Sequence, residues 1–187
     1  MSGDNQQERL PRKESELKYY FAGFIDGEGS FNVSFKPHAS MKLGWVVDPA
    51  FQVYQHKDNV GFLQLISKVL HCGYIRPKSP RSDVMVLVVD NRRTLQEKII
   101  PFFSKYHLLS NKREDFEKFE KILSLMEQKA HLQHEGFVKI VDIAMSMNAQ
   151  GKQRKYSREM ILSSLAKSSE TVRQVSSSDE KDTVRTS

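Results

Sequence analysis

Hydrophobic and polar residues follow two different periods along this chain, and their order predicts a succession of helices and strands. Apolar side chains recur at helical spacing from Leu17 to Ile25, until a glycine-rich stretch ends the helix. They then alternate with polar side chains over residues 30–36 and 45–55, as in strands that bury one face. Pro49 lies within the second strand and predicts an edge position or a bulge there.

The pattern then repeats this order and ends in helices. After a second helix that closes at Gly73, two more strands and three more helices are predicted, at residues 74–78, 84–89, 91–100, 111–127 and 134–147. Four residues are expected to cap or stop helices: Ser15, Asp58, Asn91 and Pro101. The elements predict an α+β fold with an α-β-β-α-β-β-α core and additional C-terminal helices. Helices would back a four-stranded antiparallel sheet whose other face is polar.

Composition divides the chain into four segments. Residues 1–14 are polar and are predicted to be a disordered lead, whereas residues 15–147 hold the folded domain. Residues 148–167 form a basic extension with a short helix. Residues 168–187 are rich in serine, threonine and charged residues, and we predict a disordered tail.

Charge and cysteine content narrow the class of protein. The 187 residues include 29 Lys and Arg against 23 Asp and Glu, and the net charge of +6 fits a nucleic-acid partner without requiring one. The single cysteine, Cys72, excludes an intrachain disulfide and a zinc cage, and we expect it half-buried in a turn. No apolar run approaches the ~20 residues of a membrane helix, and the polar start lacks a signal-peptide core. We therefore expect no membrane partner and an intracellular protein, in a prokaryotic cytoplasm or, if organelle-encoded, in an organelle.

One stretch concentrates the features that point to chemistry. Residues 20–31 read Tyr-Phe-Ala-Gly-Phe-Ile-Asp-Gly-Glu-Gly-Ser-Phe, apolar and small at first and then with two acids, Asp26 and Glu28, among glycines. An apolar helix that ends in this way would deliver acids to one point beside an interface, and Mg²⁺ prefers such oxygen ligands. The chain has no phosphate-binding loop, dinucleotide fingerprint or serine nucleophile elbow, so we expect no organic cofactor.

Residues 21–31, Phe-Ala-Gly-Phe-Ile-Asp-Gly-Glu-Gly-Ser-Phe, resemble the signature of the LAGLIDADG homing endonucleases. The predicted element order is similar to that family's core. Further similarities are Phe-Gln-Val-Tyr-Gln at residues 51–55, Gly-Tyr-Ile-Arg-Pro at 73–77 and Lys-Arg-Glu-Asp-Phe at 112–116. The resemblance covers residues 15–147. It implies a sequence-specific endonuclease that hydrolyses double-stranded DNA with a divalent cation, Mg²⁺ or another such as Mn²⁺.

The chain holds one copy of this signature, and single-motif members of the family resemble half of an enzyme. The resemblance therefore implies a homodimer, in which two copies of the motif helix pack against each other on a twofold axis. Gly23 and Gly27 stand four residues apart on one side of the helix, where two backbones could approach closely. The predicted dimer interface comprises Ala22, Gly23, Asp26 and Gly27.

The resemblance also implies roles for the residues that end the motif helix. Glu28 stands where the family places its metal-binding acid, often an aspartate, and each subunit would contribute one. The Gly27 carbonyl is expected to complete the metal ligation. Asp26 is expected to be a structural residue near the helix end that bonds backbone across the dimer.

Two polar groups are expected to assist catalysis in this family, one on the second strand and one at the start of the later helix. Gln55 matches the first and Lys112 the second. The spacing to Phe116 leaves Asn111 as an alternative for the position of the lysine. The predicted catalytic residues are therefore Glu28, Gln55 and Lys112.

A polar-faced antiparallel sheet fits the major groove of DNA, where base edges display distinct patterns of donors and acceptors. The outward side chains of the predicted strands are candidates for base contacts: Asn32, Ser34, Lys36, His38, Asp48, Gln52, Tyr54, Arg76 and Lys78. Basic residues of the turns and of the C-terminal extension are expected to bind phosphates: Lys42, Arg81, Lys152, Arg154 and Lys155. We expect the binding to weaken steeply with salt.

Two alternatives stay open at this point. One is a LAGLIDADG-like protein without catalysis, which acts as an intron RNA maturase or a transcription regulator. Glu28 argues against it, because a protein that only binds has no need of an acid at that position. The other is a basic α+β interaction module.

Overall fold

The motif helix runs directly into the first strand. The computed structural model describes residues 13–148 and 154–165, so the predicted tail, most of the predicted lead and Lys152 lie outside the described residues. Helix α1 (Glu14–Glu28) is followed without a loop by strand β1 (Gly29–Pro37). A side chain at Gly29 would collide with the side chain and the carbonyl of Ile25. Glycine at this position therefore permits the sharp passage from helix to strand.

The remaining elements complete the predicted order. They are strand β2 (Trp45–His56), helix α2 (Val60–Leu70), strand β3 (Tyr74–Pro77), strand β4 (Val84–Val89), and helices α3 (Arg92–Thr94), α4 (Ile100–Lys105), α5 (Lys112–Glu127) and α6 (His134–Met145). The sheet order is β1-β2-β4-β3, and β4 is antiparallel to both β2 and β3. Residues 158–165 are helical again. The predicted α+β class with a four-stranded antiparallel sheet and helices is confirmed. None of the described helices is long and apolar enough to cross a membrane.

The described chain divides into two compact units, and the division falls within β1 and β2. The first unit runs up to Asn32 and from Pro49 to Leu123. The fully buried ring of Phe31 lies at the centre of an aromatic cluster in this unit. Its centroid is 5.4 Å from the ring centroids of four residues, Phe51, Phe103, Phe116 and Phe119. The apolar face that the alternation of β1 predicts is therefore packed against β2, α4 and α5.

The second unit comprises Val33–Asp48 and the chain from Ser124 onward. Phe35 of β1 packs against Phe137 of α6, with ring centroids 5.8 Å apart. Trp45 at the start of β2 donates from Nε1 to Ser164 Oγ at 2.8 Å. The C-terminal helical residues are therefore part of the core of this unit.

Three helix boundaries differ from the prediction. Helix α1 begins one residue before Ser15, after Lys13, and has no side-chain cap. Asp58 lies in a short 3₁₀ turn that precedes α2, so it does not cap that helix. Helix α2 ends at His71, which takes the left-handed conformation with φ of 52°, two residues before the predicted Gly73. Asn91 does cap α3, since its side chain accepts the N–H of Thr94 at 3.0 Å.

Cys72 follows the end of α2 and is a half-buried free cysteine, as predicted. Burial raises the pKa of its thiol to about 11, because a thiolate would lose hydration there. The residue therefore stays a neutral thiol near pH 7.

Both prolines that were expected to interrupt an element are accommodated within one. Pro49 lies in β2, an interior strand, but the pairing of β2 with β4 begins only at Phe51. Its missing N–H therefore costs no hydrogen bond to β4. Pro101 lies inside the helical stretch, at the second residue of α4 and just beyond a π turn over Leu95–Ile99. Such a wide turn relieves the clash that a proline ring makes with the preceding turn of an α-helix.

Candidate active site and nucleic-acid interface

The carboxylate of Asp26 ties the end of α1 to the chain that leads into α5. Asp26 Oδ2 accepts the backbone N–H groups of Leu109 at 3.0 Å and Ser110 at 2.9 Å, and Oδ1 accepts Ser110 Oγ at 2.5 Å. Burial by itself would raise the pKa of Asp26, but these hydrogen bonds and the nearby charge of Lys112 lower it. Asp26 thus bonds backbone of its own chain, whereas the sequence had suggested backbone across a dimer.

The ammonium of Lys112 binds backbone carbonyls where α1 passes into β1. Nζ donates to the carbonyl oxygens of three residues, Ile25 at 3.2 Å, Gly27 at 3.1 Å and Gly29 at 2.5 Å. These contacts use all three N–H donors of the ammonium group. They also place a positive charge at the negative end of the α1 dipole. Asn111, the alternative for this position, is exposed and lies just before α5.

Burial lowers the pKa of Lys112, because the charged ammonium is only partly hydrated at this position. The negative charges of Asp26, Glu28 and Asp115 oppose this shift. The half-buried cation is therefore held by three carbonyl dipoles and faced by acids from both helices.

Glu28 is the acid of this helix end that stays exposed. Among the residues that the structure describes, none makes a hydrogen bond or an ion pair with its side chain. The Gly27 carbonyl beside it accepts one N–H of Lys112 and retains a second lone pair. A carboxylate and a carbonyl are hard oxygen ligands and suit Mg²⁺ or Mn²⁺.

These two oxygens alone do not complete the coordination of a divalent cation. Over residues 13–148 and 154–165, no group of three His, Cys, Asp or Glu residues could hold a metal ion. Mg²⁺ ordinarily takes one or two protein carboxylates together with waters and substrate phosphates. The donors of one chain therefore fit a divalent cation only when further oxygen ligands come from outside that chain.

Gln55 lies near the end of β2, opposite Met85 of β4. Its Oε1 accepts the backbone N–H of the adjacent His56 at 2.8 Å. No hydrogen bond within the described ranges joins it to Glu28 or Lys112. The structure thus brings the end of the motif helix and Lys112 together, and leaves Gln55 outside that hydrogen-bonded group.

One side of α1 carries no covering side chains. Gly23 and Gly27 are exposed, and a Cβ added at either would meet nothing within 4 Å. Glycine in a helix costs about 1 kcal/mol relative to alanine, and no packing within the described chain requires it here. Ala22, by contrast, is 3% exposed and belongs to the core of its own chain. Of the predicted interface residues, the two glycines form the open strip of this helix.

In the first unit, three of the predicted DNA-contacting residues are hydrogen-bonded to one another. Gln52 Oε1 accepts hydrogen bonds from Asn32 Nδ2 at 3.0 Å and from the Tyr54 hydroxyl at 2.6 Å. Lys78 Nζ lies 5.5 Å from the centroid of the Tyr54 ring. Arg76 and Arg81 are exposed. The strands of this unit therefore present a connected polar group rather than separate side chains.

The second unit holds the other strand residues of that prediction. Lys36 and Asp48 form an ion pair with each other, and Ser34 Oγ donates to the Asp48 carbonyl at 3.4 Å. His38 Nδ1 lies at hydrogen-bond distance, 3.0 Å, from Ser40 Oγ. Lys42 is exposed in the turn between β1 and β2.

Arg154 serves the fold of the second unit. Its guanidinium donates to the carbonyls of Val33 at 3.2 Å, Met147 at 3.4 Å and Ala144. The next residue, Lys155, is exposed, and its Nζ lies 5.3 Å from the centroid of the Tyr156 ring. Two basic residues that are adjacent in the sequence therefore differ in the structure: the Arg154 guanidinium is half-buried, and the Lys155 ammonium lies on the surface.

Sequence reasoning missed Ser110. Its hydroxyl donates to Asp26 and accepts the N–H of Lys112 at 3.1 Å, so it caps the start of α5 as well. A serine two residues before a helix is a recognised capping signal. The neighbouring Asn111 carries the same signal, and the partner Asp26 lies 84 residues away along the chain.

Known proteins share this arrangement of elements. The family model described as LAGLIDADG endonuclease matches residues 21–123, from the motif helix into α5. The chain belongs to the LAGLIDADG endonuclease family. The match includes both sides of the contact between the LAGLIDADG helix and Lys112.

Three relatives illustrate the similarity. The chain is 41% identical over 140 residues to the DNA endonuclease I-CeuI of Chlamydomonas moewusii, covering 73% of this chain and 64% of that protein. It is 32% identical over 152 residues to the homing endonuclease I-ApeII of Aeropyrum pernix, covering 78% and 88%. The structure of the archaeal intron-encoded homing endonuclease I-Vdi141I complexed with DNA superposes with a TM-score of 0.77 at 32% identity, covering 84% and 99%. The chain spans less than two thirds of the length of the first curated relatives it matches.

The Asp26 contacts of the LAGLIDADG helix predict a specific pH dependence. The pKa of Asp26 is lowered by folding from the value of about 4 in an unfolded chain. Its stabilisation is therefore present above about pH 4 and is lost as the pH falls through the lower folded pKa. Asp26→Asn removes the titration, so the stability gap between wild type and variant should shrink below pH 4. Urea unfolding between pH 7 and pH 2 measures this gap.

The exposed Glu120 offers a control, because Glu120→Gln also removes an acid from a helix surface. We expect the difference in unfolding free energy between Glu120→Gln and wild type to stay small at every pH. A gap for Asp26→Asn that is equal at pH 7 and pH 3 would contradict the assignment.

The Lys112 contacts predict a stability effect. Lys112→Met keeps the aliphatic length but leaves the carbonyls of Ile25, Gly27 and Gly29 without their shared donor. Unfolding free energy should fall by about 1–3 kcal/mol, the usual cost of leaving partly buried polar groups unpaired. Lys121→Met is the matched control, because Lys121 lies exposed on the same helix. Equal urea midpoints for the two variants would show that the three contacts do not stabilise the protein.

Proposed function

We propose that this chain is a sequence-specific homing endonuclease, which hydrolyses both strands of DNA as a homodimer with a divalent cation, Mg²⁺ or Mn²⁺. The observation that carries the proposal is the exposed carboxylate of Glu28, held at the end of the LAGLIDADG helix beside the half-buried ammonium of Lys112. Relatives described as DNA endonucleases and a related structure in complex with DNA support DNA as the substrate.

Glu28 and the Gly27 carbonyl are the groups that would hold the cation, and each subunit would contribute one set. A cation bound there would supply Lewis-acid stabilisation of the phosphate and a nucleophilic water at neutral pH. The exposure of both residues supports this role, because ligands from DNA and from a second chain need access to them.

Lys112 contributes through its charge in this proposal. Its three N–H groups already donate to carbonyls of the LAGLIDADG helix end. A proton transfer from Nζ to the leaving oxygen would require one of these bonds to break. A fixed positive charge beside Glu28 instead favours a negatively charged phosphate at the same place, in surroundings less polar than water.

Gln55 would contact the water or phosphate from the end of β2. Its Oε1 is occupied by the His56 N–H, so its amide N–H₂ group is available as a donor. This donor suits a phosphate oxygen or the lone pair of a water molecule. The role depends on the side chain reaching the DNA, since its described contacts lie within β2.

Two chains are needed because one chain provides one such acid. The open strip of Gly23 and Gly27 supports a close helix–helix contact, since neither position has a packing neighbour within its own chain. Tyr19 and Tyr20, 62% and 57% exposed, lie on the same helix and supply apolar area for that contact.

Glu28→Gln is the test of catalysis. The amide keeps the size of the side chain but removes its charge, so a cation would be bound poorly. We expect DNA binding within about threefold of wild type and double-strand cleavage reduced by at least 10²-fold, since an electrostatic group at the reacting centre is worth about that much. Cleavage is measured with Mg²⁺ on a plasmid that carries the intron-less host gene, with Glu120→Gln as the control.

The outcomes separate the proposal from its alternative. A wild-type protein that binds this plasmid specifically and never cuts it in Mg²⁺ or Mn²⁺ would favour a binding protein, such as a maturase or regulator. A Glu28→Gln variant that cuts as fast as wild type would refute the site while leaving the activity intact.

Gly23→Leu is the test of the dimer. A side chain at this position meets nothing in its own chain, and leucine is the better helix former by ~1 kcal/mol, so the monomer should fold at least as well. In a dimer the leucine would hold the two helices apart. Sedimentation should give twice the 21.6 kDa chain mass for wild type and a single chain mass for the variant.

Gly61→Leu is the matched control, because Gly61 is also helical, exposed and free of neighbours within 4 Å. We expect it to stay dimeric. Wild type that sediments as a monomer at micromolar concentration, or a Gly23→Leu variant as dimeric as wild type, would overturn the proposed interface.

A further inference from the structure

Three polar side chains of the first unit form a directional hydrogen-bond network. Both the Asn32 amide nitrogen and the Tyr54 hydroxyl donate to the same acceptor, Gln52 Oε1, at 3.0 and 2.6 Å. An amide oxygen has two lone pairs, so these two bonds saturate it. The network therefore fixes which end of the Gln52 amide is occupied by protein.

The groups left over by this network have opposite polarity. Gln52 retains its Nε2 N–H₂ group as a donor, and Asn32 retains Oδ1 as an acceptor. Over the described residues, neither atom has a hydrogen-bond partner, and neither is a buried unpaired atom. Both are therefore open to solvent and to a ligand.

Tyr54 is half-buried on β2, beside β4 and close to Lys78. It stands opposite Val86 of β4, which is 1% exposed, and Lys78 Nζ lies 5.5 Å from its ring centroid. Burial raises the pKa of the Tyr54 phenol, so the hydroxyl keeps its proton. A half-buried ring and a hydroxyl that keeps its proton make Tyr54 a well-defined donor to Gln52.

We propose that Tyr54 is a positioning residue for base recognition, because it fixes the Gln52 amide with its N–H₂ group toward the DNA. The proposal rests on the proposed function, since it concerns how that DNA surface discriminates bases. Without the hydroxyl, only the hydrogen bond from Asn32 holds Gln52 Oε1, and a joint 180° rotation of both amides would keep that bond while presenting the other end of Gln52. With the hydroxyl, the Gln52 side chain presents donors alone.

The chemistry of the base edges then selects the partner. In the major groove, purines present the N7 acceptor, and guanine adds O6. Adenine N7 and thymine O4 each offer one acceptor, so a fixed N–H₂ donor at Gln52 matches guanine best, which presents two adjacent acceptors. Cytosine presents a donor, N4–H₂, at the same edge and would be rejected.

The test measures which bases the dimer prefers in a randomised duplex library. Duplexes are selected by binding in EDTA, so that none is cut. We expect Gln52→Ala and Tyr54→Phe to relax the preference at the same position of each half-site, by about tenfold for a lost bidentate-type contact. Tyr54→Phe in the Gln52→Ala background should change nothing more. Gln52→Glu, which presents acceptors only, should move the preference toward cytosine.

Tyr74→Phe is the matched control. Tyr74 stands on β3 opposite Val88, as Gln52 does on β2, but its hydroxyl donates to Asp90 at 2.7 Å. The same chemical change there should leave the Gln52 position unaltered. If losing a tyrosine hydroxyl only destabilised the fold, the melting temperature would fall in both Tyr54→Phe and Tyr74→Phe. No single base position would then lose its preference.

Two results would overturn the inference while leaving the endonuclease proposal intact. One is selective wild-type binding with unchanged base preferences in Tyr54→Phe. The other is a Tyr54→Phe effect that persists in the Gln52→Ala background or falls at a different position. Wild type without any sequence preference would reject both the inference and the proposed function, so the two failures are distinguishable.

Discussion

Two opposite charges join the end of helix α1 to the start of helix α5, and the position of the candidate catalytic acid depends on them. Asp26 accepts three hydrogen bonds from the chain that enters α5, and Lys112 donates three to backbone carbonyls where α1 passes into β1. The last four carbonyls of any helix lack partners within its regular ladder. Two of them here, those of Ile25 and Gly27, bind the same ammonium as the carbonyl of Gly29 at the start of β1. Glu28 lies inside the segment that is held in this way. It is exposed, but the backbone that carries it is bonded on both sides, as preorganised catalytic groups require.

The hydrogen bonds between Asp26, Lys112 and the backbone also explain why the neighbouring acids Asp26 and Glu28 differ in their contacts. Asp26 uses both oxygens within its own chain, and its lowered pKa follows from those bonds. Glu28, two residues later, has no partner among the described residues, and the two glycines of the same helix leave backbone uncovered. A single chain that left an acid and a strip of helix backbone unused would gain no stability from either. Both features become intelligible when a second chain and a nucleic acid are allowed to complete them.

Periodicity was sufficient to predict the fold, whereas the connections within the site required the structure. The alternation in β1 correctly placed Phe31 and Phe35 in the core, because burial depends on which side of a strand a residue occupies. Pro101 was misjudged, since a local π turn accommodates it. The bonds of Asp26 with Ser110 join residues 84 positions apart, and no local pattern records such a separation. Arg154 was assigned to phosphate from its basic neighbours, yet three carbonyls engage its guanidinium.

Hydrogen bonds among the strand residues change how the polar surface should be understood. Taken singly, Asn32, Gln52 and Tyr54 are three groups that could each donate or accept. Bonded to one another, they occupy the acceptor of Gln52 and leave it with donors alone, so the number of base patterns that Gln52 tolerates falls. In the second unit, the pairing of Lys36 with Asp48 offsets a charge that would otherwise attract phosphate. Fewer free cations mean fewer released counterions for each bound duplex, so the salt dependence of binding should be shallower than a count of basic residues implies. Selectivity in such a surface arises from the bonds that restrict its side chains as much as from the side chains themselves.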